Sequence, residues 1–325
     1  MQGGHVGRHF AEASKNRTLS REVTESTTLR AMRPSHSRAL RVIFQNVIVC
    51  VLWGTLVASS RPQSNAPVAV IPIEGYLRAQ SAVRVNVEGQ PGRFMFDTGE
   101  GVTAFSPAFA AKIGCRPWGR ITGFRMTGER LNNAHCDDVT FELGGQSFLV
   151  PVVSTMDVMA IIGPEAPSVD GTIGLDLFAG RTITIVPRQE IILESPESMA
   201  ERVKNAKEMP IRMVRDVEGI SLTVNAAVET SLGRAWMELD NGNGGSLIIA
   251  NHIAPLIGMN ADVSIPEPIR LRLAGGITVE GNARSRDLIM DGNIGAQFLN
   301  NWILTMDLLH GRAWLSTLPT APVTR

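Results

Sequence analysis

An Asp-x-Gly turn occurs twice in this chain, and each copy stands in the same order of surrounding segments. In the first copy, a strand-like run that begins near Val83 ends at Asp97, and a short helix-like stretch that stops at Ile-Gly follows. In the second copy, a run that begins near Leu222 ends at Asp240, and a similar stretch that also stops at Ile-Gly follows. Self-similarity of this kind predicts two structurally related halves.

A second element recurs downstream of each turn. Asp-Gly-Thr-Ile-Gly at 170–174 and Asp-Gly-Asn-Ile-Gly at 291–295 are each followed by a short apolar stretch and then by two strand-like runs around a turn. Four segments that match in the same order are not expected by chance, so we interpret the two halves as an internal repeat. The polar, helix-favouring segment 196–208 lies between the halves. We therefore predict an N-terminal lobe at 65–195, a linker at 196–208 and a C-terminal lobe at 209–320.

Composition narrows the classes of fold and function. Hydrophobic residues make up 44% of the chain and aromatic residues 5%, and many short Val- and Ile-rich runs are separated by Gly and Pro, which favours strands joined by tight turns. Lys plus Arg and Asp plus Glu both number 31. This balance argues against a nucleic-acid partner, because such partners require a basic face.

Residues 1–64 have the pattern of an export segment. Arg residues precede an apolar, uncharged run from Val42 to Leu56, and small residues follow that run. A basic region, an apolar core and a small-residue exit are typical of a secretory signal, with Met1 or Met32 as the start. We expect a periplasmic or secreted protein. The alternative is an uncleaved membrane tether through the same run.

The two turns carry a resemblance to a known family. Phe-Met-Phe before Asp97-Thr98-Gly99 resembles the active-site turn of aspartic peptidases, and Glu-Leu before Asp240-Asn241-Gly242 is similar to a second copy. The resemblance covers about residues 68–318 and is closest to retropepsin-like bacterial proteins with two lobes on one chain. It implies an all-β fold of two retropepsin-like lobes in a pseudo-two-fold arrangement, with short helices after each turn.

The resemblance also implies the site residues. Asp97 and Asp240 would form the catalytic pair of an aspartic endopeptidase. The remaining site residues would support the turns or lie beneath them, namely Thr98, Gly99, Asn241, Gly242, Ile173, Gly174, Ile294 and Gly295. We expect the two turn glycines to allow a tight turn of the backbone beside the carboxylates. Phe124 and Met126 fall where the family has its substrate-covering flap, although an ordinary exposed hairpin fits this segment equally well.

The chemistry explains why two copies are needed. Hydrolysis without a metal or a covalent nucleophile needs one group to take a proton from water and another to donate to the substrate carbonyl. Two carboxyl groups about 3 Å apart share one proton, because both cannot ionise at that distance. The chain departs from the family at Asn241, where Thr or Ser is usual, and at Glu100. These departures support an alternative, a catalytically silent relative that binds peptides or a partner protein.

The remaining predictions concern cysteines, cofactors and partners. Removal of the export segment leaves Cys115 and Cys136, a pair that forms a disulfide or remains as two separate buried thiols. His residues show no metal-ligand spacing, and no cofactor motif is found, so we predict neither a metal nor a cofactor. The expected partner is a peptide or protein substrate, bound by a monomer.

Overall fold

The computed structural model describes residues 65–319. The predicted export segment at Val42 to Leu56 therefore lies outside the described residues. Between residues 65 and 319, none of the helices has the length and apolar character needed to cross a membrane.

The described chain is mostly β-structure. The first half contains ten strands: β1 (Ala69–Tyr76), β2 (Gln80–Val87), β3 (Gln90–Phe96), β4 (Ala104–Phe105), β5 (Trp118–Phe124), β6 (Arg130–Leu143), β7 (Gln146–Thr155), β8 (Gly171–Ile173), β9 (Thr182–Val186) and β10 (Glu190–Leu193). The second half contains ten more: β11 (Lys207–Met209), β12 (Ile211–Val214), β13 (Thr223–Thr230), β14 (Gly233–Asp240), β15 (Leu247–Ala250), β16 (Glu267–Leu273), β17 (Ile277–Arg286), β18 (Gly292–Gly295), β19 (Trp302–Asp307) and β20 (Arg312–Thr317).

Helices are short. The α-helices are α1 (Pro107–Lys112), α2 (Val158–Ile162), α3 (Pro196–Val203) and α4 (Ala296–Leu299), and 3₁₀ turns lie at Leu175–Phe178, Val217–Gly219 and Ala254–Ile257. Ser195 caps α3 with a reciprocal capping box. The segment 196–208 thus contains α3 and the first residues of β11.

The two halves repeat one strand arrangement in the same register. In the first half, β3 runs parallel to β8, with Met95 opposite Thr172. In the second half, β14 runs parallel to β18, with Glu238 opposite Asn293. The repeated Asp-Gly-x-Ile-Gly elements therefore form the strand beside each Asp-x-Gly turn.

The two halves also share a sheet. A 13-stranded sheet contains all ten strands of the first half and also β11, β20 and β19 of the second half. Its link between the halves is the antiparallel pair β9–β19, where Thr184 lies opposite Thr305. The hydroxyls of these two buried threonines are 2.9 Å apart.

Apolar side chains from the strands form the core. In the first half, Phe94 packs edge-to-face on Phe109 and Phe141, with ring centroids 5.3 and 6.0 Å away. Phe94 lies on β3, the strand directly before Asp97. The position of this aspartate is consequently set by a rigid, buried strand rather than by a loose loop.

Candidate active site

Each candidate aspartate lies where a central strand ends. Asp97 follows β3, and its backbone N–H donates to the carbonyl of Ile173 at 2.9 Å. Asp240 is the last residue of β14 and pairs with Gly295 of β18. Both aspartates are buried, with 8% and 6% of their surface exposed.

The two carboxyl groups meet. Each carboxyl group lies against the turn glycine of the opposite half, and the charge of Asp240 acts on Asp97. The turn glycines make this approach possible: a Cβ on Gly99 would overlap the Asp240 carboxyl, and a Cβ on Gly242 would overlap the Asp97 carboxyl. Neither glycine has a positive φ. The turns expected from the sequence are present at both glycines, and the structure adds a second reason for glycine, namely space for the opposite carboxyl group.

Thr98 and Asn241 connect the two turns through buried hydrogen bonds. The Thr98 hydroxyl donates to the Leu239 carbonyl at 2.6 Å and accepts from the Asn241 backbone N–H at 3.1 Å. In return, the Asn241 side-chain oxygen accepts from the Thr98 backbone N–H at 2.7 Å. The Asn side chain, which differs from the family's usual Thr or Ser, thus acts here as an acceptor.

The carboxyl groups receive N–H donors unequally. The Gly99 N–H donates to Asp97 Oδ1 at 2.9 Å. Asp240 receives two donors, the Asn243 N–H on Oδ1 at 2.9 Å and the Asn293 side-chain amide on Oδ2 at 2.7 Å. Sequence reasoning did not single out Asn293, which lies on β18.

Glu238 is a second acidic residue that sequence reasoning missed. It lies two residues before Asp240 on β14, is 5% exposed, and accepts from the Asn293 amide at 3.2 Å. Burial, followed by the charge of Asp240, raises the pKa of Glu238 to about 8. Side chains two residues apart on a strand point to the same face. The spacing of Glu238 and Asp240 could therefore have indicated that Glu238 lies beside the candidate aspartate.

Glu100 also faces the site. Glu100 is half-buried just after the first turn, and burial of its carboxyl raises its pKa to about 8, with the nearby Thr172 hydroxyl opposing that shift. The charge of Arg125 also favours the ionised form of Glu100. Glu100 therefore carries little negative charge at neutral pH, although it departs from the family pattern.

The pKa of Asp97 is raised well above its ordinary value. Burial is the largest cause, the charge of Asp240 is the next, and the charge of Glu100 also contributes. Burial similarly raises the pKa of Asp176 to about 6, and this carboxyl accepts from the Thr103 hydroxyl at 2.7 Å and from its backbone N–H at 2.8 Å. The shift of Asp97 favours the protonated form of this carboxyl group.

The segment predicted as a flap is the hairpin between β5 and β6, and it reaches the second half of the chain. The Ile289 N–H donates to the Met126 carbonyl at 3.0 Å. Met126 is half-buried, whereas Phe124 is 60% exposed. The hairpin thus extends from the half that carries Asp97 to the half that carries Asp240.

Two further features lie around the site. The Gln80 side-chain amide donates to the carbonyl of Gly242, a contact that no sequence pattern indicated. Cys115 and Cys136 form a disulfide that ties the segment after α1 to β6, with Cα atoms 6.3 Å apart. Among residues 65–319, no group of three or more His, Cys, Asp and Glu side chains is arranged to hold a metal ion.

Comparison with known proteins shows which family model and which fold this chain resembles. Residues 83–177 match the family model of an aspartyl protease. The structure is similar to that of basic 7S globulin from soybean, with a TM-score of 0.51 and 10% identity over 77% of this chain and 95% of the globulin. The fold is that of a two-lobed aspartic protease. No curated protein sequence matches the chain.

The aspartic protease resemblance and the predicted all-β fold are thus confirmed. The family match covers the first turn, with Asp97, and the parallel strand β8. At 10% identity, the likeness to the globulin concerns the fold alone. The soybean protein is named as a globulin rather than as a peptidase, so the likeness assigns no activity to this chain.

Proposed function

We propose that this protein is an exported aspartic endopeptidase, which hydrolyses peptide bonds with a water molecule activated by Asp97 and Asp240. One observation carries the proposal: two buried carboxyl groups, one from each repeated turn, lie close together, each against the glycine of the opposite turn. Export is inferred from the Val42 to Leu56 segment alone.

The chemistry follows from the shared proton. With one carboxyl ionised and the other protonated, the pair can take a proton from water and give one to the scissile carbonyl oxygen. The raised pKa of Asp97 favours a proton on this carboxyl group. The two Thr98–Asn241 hydrogen bonds fix the distance between the turns, on which this exchange depends.

The substrate in this proposal is an extended peptide held between the two halves and under the flap. Main-chain groups of the flap hairpin would pair with the peptide as an added strand. Phe124 offers an exposed aromatic surface for a substrate side chain. The flap is joined to the second half by the hydrogen bond from Ile289 N–H to the Met126 carbonyl. This bond must open or rearrange before a peptide can enter.

The test is cleavage of a mixed peptide library by the mature protein and its Asp97→Asn and Asp240→Asn variants across the pH range. Either variant should lower the cleavage rate by about 100-fold or more, as expected for loss of a general acid or base. Glu142→Gln, which removes an exposed carboxylate on β6, is the matched control and should leave the rate unchanged. Full activity in either Asn variant would exclude the pair as the catalytic group.

A second candidate function is binding of peptides or a partner protein without catalysis. Glu100 and Asn241 favour it, because both replace the residues that aspartic peptidases usually carry at these turns. Under this alternative, the parent protein cleaves no library peptide at any pH. It nevertheless retains some of those peptides on a column of immobilised protein.

A further inference from the structure

The two halves of the site differ in the residues that lie beside each aspartate. In the first half, Met95 and Thr172 occupy the paired positions on β3 and β8. In the second half, the same paired positions hold Glu238 and Asn293. The repeated register makes this a direct comparison of equivalent positions, and only the second half places a carboxamide there.

This difference makes the hydrogen bonding of the pair unequal. Asp240 accepts from Asn243 N–H at one oxygen and from Asn293 Nδ2 at the other. Within residues 65–319, the Gly99 N–H is the one backbone or amide donor to Asp97. Each N–H donor stabilises the ionised form of a carboxyl group more than the neutral form. The unequal donors therefore favour negative charge on Asp240 over negative charge on Asp97.

The orientation of the Asn293 amide is fixed by its neighbour. The Asn243 side-chain amide donates to Asn293 Oδ1 at 2.8 Å, so the Asn293 nitrogen must point the other way. Its two hydrogens then face Asp240 Oδ2 and Glu238 Oε2. A flipped amide would place the Asn293 nitrogen against the Asn243 nitrogen, which is unfavourable because both groups are donors.

The surrounding charges are compatible with an ionised Asp240. The charged or titratable side chains around the pair are Glu100, Arg125, Asp176, Asp216 and Glu238. Glu100 and Glu238 are mostly protonated below about pH 8. Neither glutamate therefore opposes a negative charge on Asp240 at neutral pH. Asp176, whose pKa is about 6, is ionised there, and its charge acts on Glu100.

We infer that Asp240 is the ionised member of the pair and acts as the base, that Asp97 carries the proton and acts as the acid, and that Asn293 is the residue that positions the charge. The catalytic roles rest on the proposed function. The location of the proton in the free protein does not.

The reaction then runs in two balanced steps. In the first, Asp240 takes a proton from water, the water oxygen bonds to the carbonyl carbon, and Asp97 gives its proton to the carbonyl oxygen. In the second, Asp240 returns its proton to the nitrogen, Asp97 takes one from a hydroxyl of the intermediate, and the carbon–nitrogen bond breaks. Both aspartates end in their starting states.

The location of the proton can be measured without a substrate. Carbon-13 NMR of labelled aspartate side chains, assigned with the two Asp→Asn variants, follows each carboxyl group as pH rises. The Asp240 carboxyl carbon should move to its ionised position at a lower pH than that of Asp97. The reverse order would overturn the inference, whether or not the protein cleaves peptides.

Asn293→Thr tests the positioning role, because it installs the residue that the first half carries at the equivalent position. We expect the interval between the two titrations to shrink and kcat to fall by about tenfold or more with a smaller change in KM. The acidic limb of the kcat/KM profile should also move to higher pH. A variant that folds with the parent's Tm and keeps the parent's titration order and interval would contradict the role of Asn293.

Discussion

The backbone N–H of Thr98 donates to the side-chain oxygen of Asn241 at 2.7 Å, and this buried bond joins the two turns that carry the aspartates. A carboxamide therefore provides an acceptor at a position where the family usually has a hydroxyl. The bond is one of three between these turns, together with the two bonds of the Thr98 hydroxyl.

Asn241→Ala should destabilise the protein, because the buried Thr98 N–H loses its acceptor. We expect the free energy of unfolding, measured with urea, to fall by about 1–3 kcal/mol. Asn241→Ser restores an acceptor oxygen and should recover part of this loss. Asn282→Ala, at an exposed position on β17, is the control and should change stability by less than about 0.5 kcal/mol. Equal effects of the Ala substitutions at 241 and 282 would show that the bond contributes nothing.

Glu238→Gln should change how stability depends on pH. The folded protein holds a proton on Glu238 up to about pH 8, well above the ordinary glutamate value of 4.5, so its contribution is present at low pH and is lost as pH rises through about 8. Between these values the parent should lose up to roughly 1.4 kcal/mol per pH unit from this group.

Chemical unfolding at pH 5 and pH 9 measures this effect. Glu238→Gln should resemble the parent at pH 5 and exceed its stability at pH 9, with part of the pH dependence remaining because Glu100 titrates in the same range. The exposed Glu142→Gln should follow the parent at both pH values. A Glu238→Gln curve parallel to that of the parent would mean that Glu238 is ionised in the folded protein at neutral pH.

Phe124→Ala should affect substrate binding without affecting stability. The ring is 60% exposed, so its loss removes little buried surface and Tm should stay the same. If the flap covers the substrate, KM for a peptide should rise several-fold. Leu149→Ala, which is 65% exposed on β7, is the matched control and should alter neither quantity. An unchanged KM in both variants would leave Phe124 as a surface residue of an ordinary hairpin.

The Cys115–Cys136 disulfide should stabilise the first half. The linked residues are 21 apart in sequence, for which restriction of the unfolded chain predicts about 3 kcal/mol. A Cys115→Ser/Cys136→Ser double variant should therefore melt at a lower temperature than the oxidised parent. Reductant should lower the Tm of the parent and leave the double variant unchanged. Equal melting temperatures for the oxidised parent and the double variant would contradict this stabilisation.

Local repetition made much of the fold predictable from the sequence. The two Asp-x-Gly turns and the two Asp-Gly-x-Ile-Gly elements each have a short sequence pattern, and the structure places each pair side by side in the same register. The resemblance to the family placed a flap at the hairpin between β5 and β6, and its role in covering a substrate stays a prediction.

Long-range pairing was not predictable in the same way. Thr184 and Thr305 lie 121 residues apart, and neither has a local pattern that indicates their pairing across the halves. Asn293 was visible as the variable residue of a repeated element, but its contact with Asp240 depends on the amide orientation set by Asn243. Such contacts arise only when both strands are in place, so a single sequence does not reveal them.

The β9–β19 pair has a consequence for the separate halves. Main-chain hydrogen bonds between these strands continue one sheet from the first half into the second. A fragment cut within α3 would leave β9 or β19 with a bare row of N–H and C=O groups, which invites self-association. Two fragments produced together should therefore recombine through these edges, whereas either fragment alone should aggregate or form a homodimer.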